Sequence, residues 1–525
     1  MRSKPPEGGL GDVDMTKMRV SRAATAAGVV LLAGQTALGQ IDSTWIDDTS
    51  GSWSDATRWS TPDFPTARGP DRYRAIIDFD SGGAYTIDLG TDIDLAALRF
   101  TSADATIDGG GIGTIVVRTD IELGNATIRA FDELVSEGTL RFTGDLLCEI
   151  DDTPACHVGG AARKTGLGDI RFSGTTIFET GIGSTFTIEN SGDFVGDSTA
   201  LFRNGGTLTK ESTGLTLIDG VAFDNTGTVV VEQGTLRITN PVLPLPSTLG
   251  PARYDIGDGA VLDLPGTTLA TNQADVIFRG PDSSFSQLSS VDLNQGLVQA
   301  EGGADVFFTP TTGIVNEGSL IASGSGSSIG TSGGIANNGG EITVIDGGVV
   351  SAGPSTLSNN GGMVGGTGTV QSAMFINEGV VSPGNSPGIL VSENPTGTHI
   401  FEQLPGGTLE IEIGGRIPGV THDVLDVRGI ALMDGTLDLQ FSPFVGEPQV
   451  QPGDQFQILL ADGVDGQFRD IQLRGLGLEG QIDVFFNPEG IVVVVTEVPA
   501  PGALAVLGLG GLIATSRRRS ISRVL

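Results

Sequence analysis

The sequence predicts an all-β protein: a parallel β-helix (β-solenoid) followed by a C-terminal β domain of capping or sandwich-like form. Three observations carry this. Glycine supplies 81 of the 525 residues, and a composition rich in Gly, Thr, Val and Ile favours short strands over helices. Runs such as TIDLG, ATIDG, TIVV and TLRF alternate apolar and polar residues over strand-like lengths. An apolar-x-Asn-x-Gly motif then recurs with a period near twenty residues, with no helical pattern inside the period.

The motif sits at Ile188-Asn190-Gly192, Phe202-Asn204-Gly206, Phe223-Asn225-Gly227, Ile314-Asn316-Gly318, Ile335-Asn337-Gly339, Leu357-Asn359-Gly361 and Phe375-Asn377-Gly379, with Asn294 a looser match. A single coil of this length cannot bury its apolar side. Stacked at ~4.8 Å, many coils share one core. The apolar residue should form an inward ladder. The asparagine should hydrogen-bond to its equivalent one coil away, and the glycine should supply the positive φ of a tight corner. Residues 85–381 at ~21 per coil give roughly 14 coils and a rod on the order of 65 Å. Between 226 and 293 the motif lapses, and PVLPLPSTLGP intervenes as a side loop or a second start.

In chain order, residues 1–39 read as a secretory signal helix. Arg19 and Arg22 are its charged part and Ala23 to Ala33 its apolar part. Ala37-Leu38-Gly39 fits a cleavage site, with cleavage between Gly39 and Gln40. Residues 40–84 hold all three tryptophans, Trp45, Trp53 and Trp59, read as a cap over the open end of the solenoid rather than a sugar-stacking platform. In residues 382–497 the strands lengthen. TLEIEI and TLDLQF alternate cleanly, as in a sandwich or a wider terminal coil.

The last stretch, 498–525, has a fixed order: Val498-Pro499-Ala500-Pro501, then an apolar segment from Gly502 to Thr515, then Arg517, Arg518 and Arg519. As a helix of ~1.5 Å per residue the segment falls short of a ~30 Å hydrocarbon core, so it reads as a temporary anchor with its arginines on the cytoplasmic side. This order resembles the PEP-CTERM sorting tail handled by exosortases, with Ala500 where the family carries Glu. SPGNSPG, THDVLDVRGIALMDGTLDLQF and GDQFQILLADGVDGQF resemble the C-terminal passenger region of autotransporter-like β-helix proteins, and the Trp53 segment resembles the opening of autotransporter-associated repeat proteins. The resemblance implies an exported protein, an exosortase-like processing enzyme as partner, transient passage through the inner membrane, and a cell-surface or biofilm-matrix setting with exopolysaccharide.

Chemistry is sparse. Gly-x-Ser-x-Gly spacings at Ser328, Ser332 and Ser386 lack the strand–turn–helix context of a nucleophile elbow, and Pro387 has no amide hydrogen to offer an oxyanion. His157, His399 and His422 share no metal-binding spacing, and His422 reads as a surface residue beside a strand. Asp151/Asp152 and Asp462/Asp465 sit in turn contexts. Cys148 and Cys156 read as one local disulfide in an exported chain. A Cys/Cys/His157 metal site with Asp151 or Asp152 is the alternative. A net charge of −34 argues against nucleic acid or anionic lipid as a main partner.

The expectation is therefore a non-catalytic surface or matrix spacer or adhesin, with no catalytic residues, cofactor or metal. A secreted polysaccharide lyase or glycosidase on a parallel β-helix is the alternative. A strip of Asp with Arg or Lys on successive coils would favour that enzyme.

Overall fold

The computed structural model describes residues 40–66, 72–442, 450–475 and 481–496. Among them the chain is strand throughout, with only two short 3-10 segments, Ala56–Arg58 and Ser286–Ser290. The strands form a parallel β-solenoid of about fifteen turns. Each turn has three faces, because most strands pair with the strand three places later in sequence.

One face is a continuous parallel stack. It runs from Gln40–Thr44 through Arg72–Ile77, Thr139–Phe142, Ala161–Lys164, Thr207–Lys210 and Ser319–Ser323 to Thr436–Phe441 and Asp470–Arg474. Parallel pairing thus begins ahead of position 85 and crosses position 382 without a break. It also crosses the stretch where the motif lapses: Thr228–Val231, Arg253–Gly257 and Asp275–Arg279 stay in register. There the proline-rich run makes a loop on another face, bridged from Phe223 to Pro241 and rejoining the parallel pairing where Thr248–Leu249 meets Thr271–Asn272.

Alternation explains the core. In strands such as Thr139–Phe142 and Thr207–Lys210 every second side chain is buried. Parallel registry then places like on like. Ile314, Ile335, Leu357, Phe375 and Phe401 lie one above the next and are all buried, as the inward ladder requires. Phe172, Phe178, Phe186, Phe194 and Phe202 form an aromatic block with centroids 5.0–6.3 Å apart.

The two ends of the stack are finished differently. At the start, Trp45, Trp53 and Trp59 pack together, with Trp59 centred 5.2 Å from Trp45 and 4.8 Å from Trp53. The Trp53 indole donates to the Pro65 carbonyl, and the Trp59 indole to the Trp53 carbonyl. All three rings are buried, so they present no face to a sugar. At the other end the pairing changes sense. Gln455–Gly466 meets Gly490–Val495 antiparallel, and Ile482–Asn487 pairs antiparallel with the latter. A turned-back ribbon occupies a strand edge that would otherwise template another chain.

The expected signal helix and the expected C-terminal apolar helix lie outside the described residues. Among the described residues, no helix is long and apolar enough to cross a membrane.

Replacing Trp53 by Ala removes a fully buried indole from the first turns, and the expected loss is about 3–5 kcal/mol in chemical denaturation. A change under about 1 kcal/mol would mean that the tryptophan cluster does not hold the end of the stack.

Candidate functional site

The most regular chemical feature is a column of amides inside the coil. Asn272, Asn294, Asn316, Asn337, Asn359 and Asn377 are all fully buried and stack in parallel register. Each donates from Nδ2 to the Oδ1 of the next at 2.8 Å, and Asn377 donates to Gln403 at 3.4 Å. A second short column runs from Thr180 to Asn204 to Asn225, again at 2.8 Å. The amides also take up corner carbonyls: Asn337 Nδ2 donates to the carbonyls of Gly340 and Met363. In the long column each of these donors is matched, as buried polar groups generally are, whereas the short column ends on Asn225 Nδ2, which has no partner among the described residues.

The glycines after these asparagines do two different jobs. Gly339 and Gly361 adopt φ of +74°, as expected for a tight corner. Gly318 does not. A Cβ there would come within 2.0 Å of the Gly296 carbonyl oxygen, so close approach between coils fixes it as glycine. The uniform positive-φ expectation is corrected there and at Gly192, Gly206, Gly227 and Gly379, none of which has a positive φ.

Asn190 does not belong to the column. It follows Thr185–Ile188 on the continuous face, half-buried, and its Oδ1 accepts from Lys164 Nζ at 2.8 Å. The motif at Ile188 matched by composition, but it falls at a different corner of the coil. Lys164 and Lys210 point inward on this face two turns apart, both buried. Lys210 Nζ donates to the carbonyl and hydroxyl of Ser212. Desolvation pulls both ammonium groups down to about 8.

The cysteine expectation is also corrected. Cys148 and Cys156 are both free and buried on different faces of one turn, Cys148 in register with Ile170 and Cys156 between Leu134 and Phe178. Each packs as a small apolar core residue, and burial pushes each thiol up to about 12. The metal alternative fails on alternation: Cys156 points in, so His157 points out. No group of three or more potential metal ligands occurs among the described residues.

His422 is buried rather than on the surface. Its Nδ1 lies 3.1 Å from the Gly415 carbonyl, and its ring meets Phe456 edge-on at 5.4 Å. Asp423 beside it accepts from the Gly388 and Glu412 amides at 2.9 and 2.7 Å, tying the SPGNSPG loop to Thr408–Ile413. Burial pushes its carboxyl up to about 7. His399 is buried between the Ser392 hydroxyl and the Ser372 carbonyl, each at 2.8 Å. Desolvation lowers both histidines, so both favour the neutral ring. Ser328 and Ser332 lie at or just beyond the strand Ser328–Thr331, and Ser386 lies in a corner; no helix follows any of them.

Surface chemistry is therefore that of the outward residues, and these form rungs of alternating charge. His157 sits between Glu133 and Glu179; Arg203 follows, reaching Asp224 at 3.2 Å. Arg118 joins Asp94 at 2.7 Å to Glu137 at 2.6 Å. Arg279 bridges Asp255, at 2.5 Å, and Glu301. An apolar crevice between the proline-rich loop and Phe223, Leu249 and Tyr254 holds about 130 Å³. That is well below the ~300 Å³ at which small-molecule pockets begin.

No family model and no curated protein sequence matches the chain. The sorting residues Val498, Pro499, Ala500, Pro501, Arg517, Arg518 and Arg519 and the signal residue Gly39 lie outside the described residues. Gln40 opens the first strand. Reading the motif alone missed Asn272, whose following glycine is replaced by Ala274, and missed both inward lysines, which a strict alternation count along ARK and TLTK would have found.

Asn337→Ala and Asn359→Ala each strand a donor and an acceptor in the column, and each is expected to cost on the order of 1–3 kcal/mol in denaturant unfolding. Lys210→Met is expected to raise the melting temperature at pH 7. Folded Lys210 titrates near 8 against an ordinary 10.5, so the wild type gains stability as pH rises between those values. The gap between the two proteins should narrow over that range; a constant gap would show that the buried ammonium is not its source.

Proposed function

We propose that the chain is an exported, non-catalytic spacer or adhesion protein of a cell surface or extracellular matrix, sorted by an exosortase-type tail. The observation that carries this reading is the use of charge on the outer faces. Acids and arginines on successive turns are spent on one another, in rungs such as Asp94–Arg118–Glu137 and Asp255–Arg279–Glu301. Such a surface is soluble and stiff and repeats along the stack. Among the described residues most arginines are held by carboxylates, which leaves little free positive charge to grip an acidic sugar. The compact unit opens at Gln40, so cleavage between Gly39 and Gln40 would leave its first strand whole.

The partners follow from the tail and the setting: an exosortase-like enzyme, the inner membrane during passage, and exopolysaccharide or other surface components. Single apolar side chains stand out at coil corners, among them Ile112, Leu146, Leu167 and Ile182. They offer contact points for a partner without forming a catalytic cleft.

The second reading is a polysaccharide lyase or glycosidase, and the same rungs favour it to a degree, since they place Asp and Arg on successive coils. Their ion pairing, at 2.5–3.2 Å in the closest cases, weighs against it. An arginine held by two carboxylates has little field left for an anionic sugar.

The test compares the full chain with a variant lacking residues 498–525 in an exosortase-bearing host. The full chain should fractionate with membrane before processing. The truncated chain should be folded, rich in β structure by circular dichroism, and released. A truncated chain that does not fold would make the tail part of the core. Mass spectrometry of the mature protein should find Gln40 as its first residue. Incubation with pectate and alginate should yield no unsaturated or reducing products; their appearance would move the assignment to the enzyme.

A further inference from the structure

The corner that removes Asn190 from the amide column brings together groups whose chemistry the spacer reading does not use. Lys164 Nζ is buried and lies 2.8 Å from Asn190 Oδ1, with a second contact of 3.1 Å to the Gly166 carbonyl. The two residues belong to adjacent turns, since Ala161–Lys164 pairs directly with Thr185–Ile188. A nitrogen at that distance from a carboxamide oxygen is within reach of the carboxamide carbon. The Gly192 amide donates to the same Oδ1 at 3.2 Å, placing a backbone N–H where negative charge would grow during attack. Gly192 also makes room: a Cβ there would come within 2.2 Å of Nζ. Asp169 and Asp193 both act electrostatically on Lys164.

We propose that Lys164 and Asn190 form an intramolecular isopeptide bond that staples two neighbouring turns of the solenoid. The neutral Lys164 amine attacks Asn190 Cγ, and the electron pair of the carbonyl moves onto Oδ1, held by the Gly192 amide. The proton released by Nζ passes to Nδ2. The Cγ–Nδ2 bond breaks and ammonia leaves. One C–N bond forms, one breaks, nothing is oxidised, and no cofactor is consumed. The protonation state the attack requires is favoured locally. Desolvation pulls the Lys164 ammonium down to about 8. Lys210, two turns along, is the internal control: it is equally buried but faces Ser212, which carries no carboxamide to displace. This inference does not depend on what the solenoid holds apart, so it can fail or succeed separately from the spacer reading.

The test is mass spectrometry of the purified, folded full-length chain or its mature form. The intact mass should fall short of the sequence mass by one ammonia, not two. Tryptic digestion should give a branched peptide joining 164–171 to 172–203 through the two side chains, because trypsin cannot cut after an acylated Lys164. Lys164→Met and Asn190→Ala should restore the full mass. Two separate peptides with a free Lys164 amine in the folded wild-type chain would overturn the proposal. A deficit of one ammonia without the branched peptide, as from a succinimide at Asn190, would overturn it equally.

Discussion

Each inward side chain in this molecule lies on its own counterpart in the turn below. Parallel strands ~4.8 Å apart leave no other arrangement, and this registry governs the rest. Apolar positions become ladders, as from Ile314 to Phe401. A polar residue is tolerated inside only if its neighbours above and below can answer it, which selects a side chain that both donates and accepts. Asparagine meets that requirement. A lysine does not, and both buried lysines sit outside the amide column at corners furnished with carbonyl and hydroxyl oxygens.

Much of this was legible in the chain itself. The repeat spacing marked the turns, the residue before each asparagine marked the inward ladder, and the amide-to-amide bond followed from stacking identical residues. What escaped did so for definite reasons. Asn190 carries the motif but occupies another corner, because the motif is short and the coil has more than one place for it. Asn272 fills the column without the glycine that made its relatives visible. The cysteines looked paired because they are close in sequence, yet a corner lies between their strands and they enter the core from different faces of the turn, unbonded. His422 looked exposed beside a strand, while the loop around Gly415 folds over it.

The outer faces obey a different rule. There, registry brings charges of opposite sign onto adjacent rungs, and the long acidic chain avoids self-repulsion locally by spacing its arginines among the carboxylates. Exposed pairs of this kind contribute little individually. Their effect is more on surface character: the arginines are engaged, and the residual charge is negative along the stack. A partner that recognises this surface would read shape, apolar corner residues or hydrogen bonds rather than a basic groove.

The amide column has a direction. Every link from Asn272 onward donates toward the C-terminal end; Asn272 Oδ1 closes the start by accepting from the Ala274 amide, and Gln403 closes the finish by donating to the carbonyls of Asp434 and Thr436. Snapping the stack anywhere in between would leave one half with an orphan hydrogen and the other with an orphan lone pair, both in a dry interior. Under tension such a filament should therefore yield as a block, in one abrupt event, instead of peeling turn by turn.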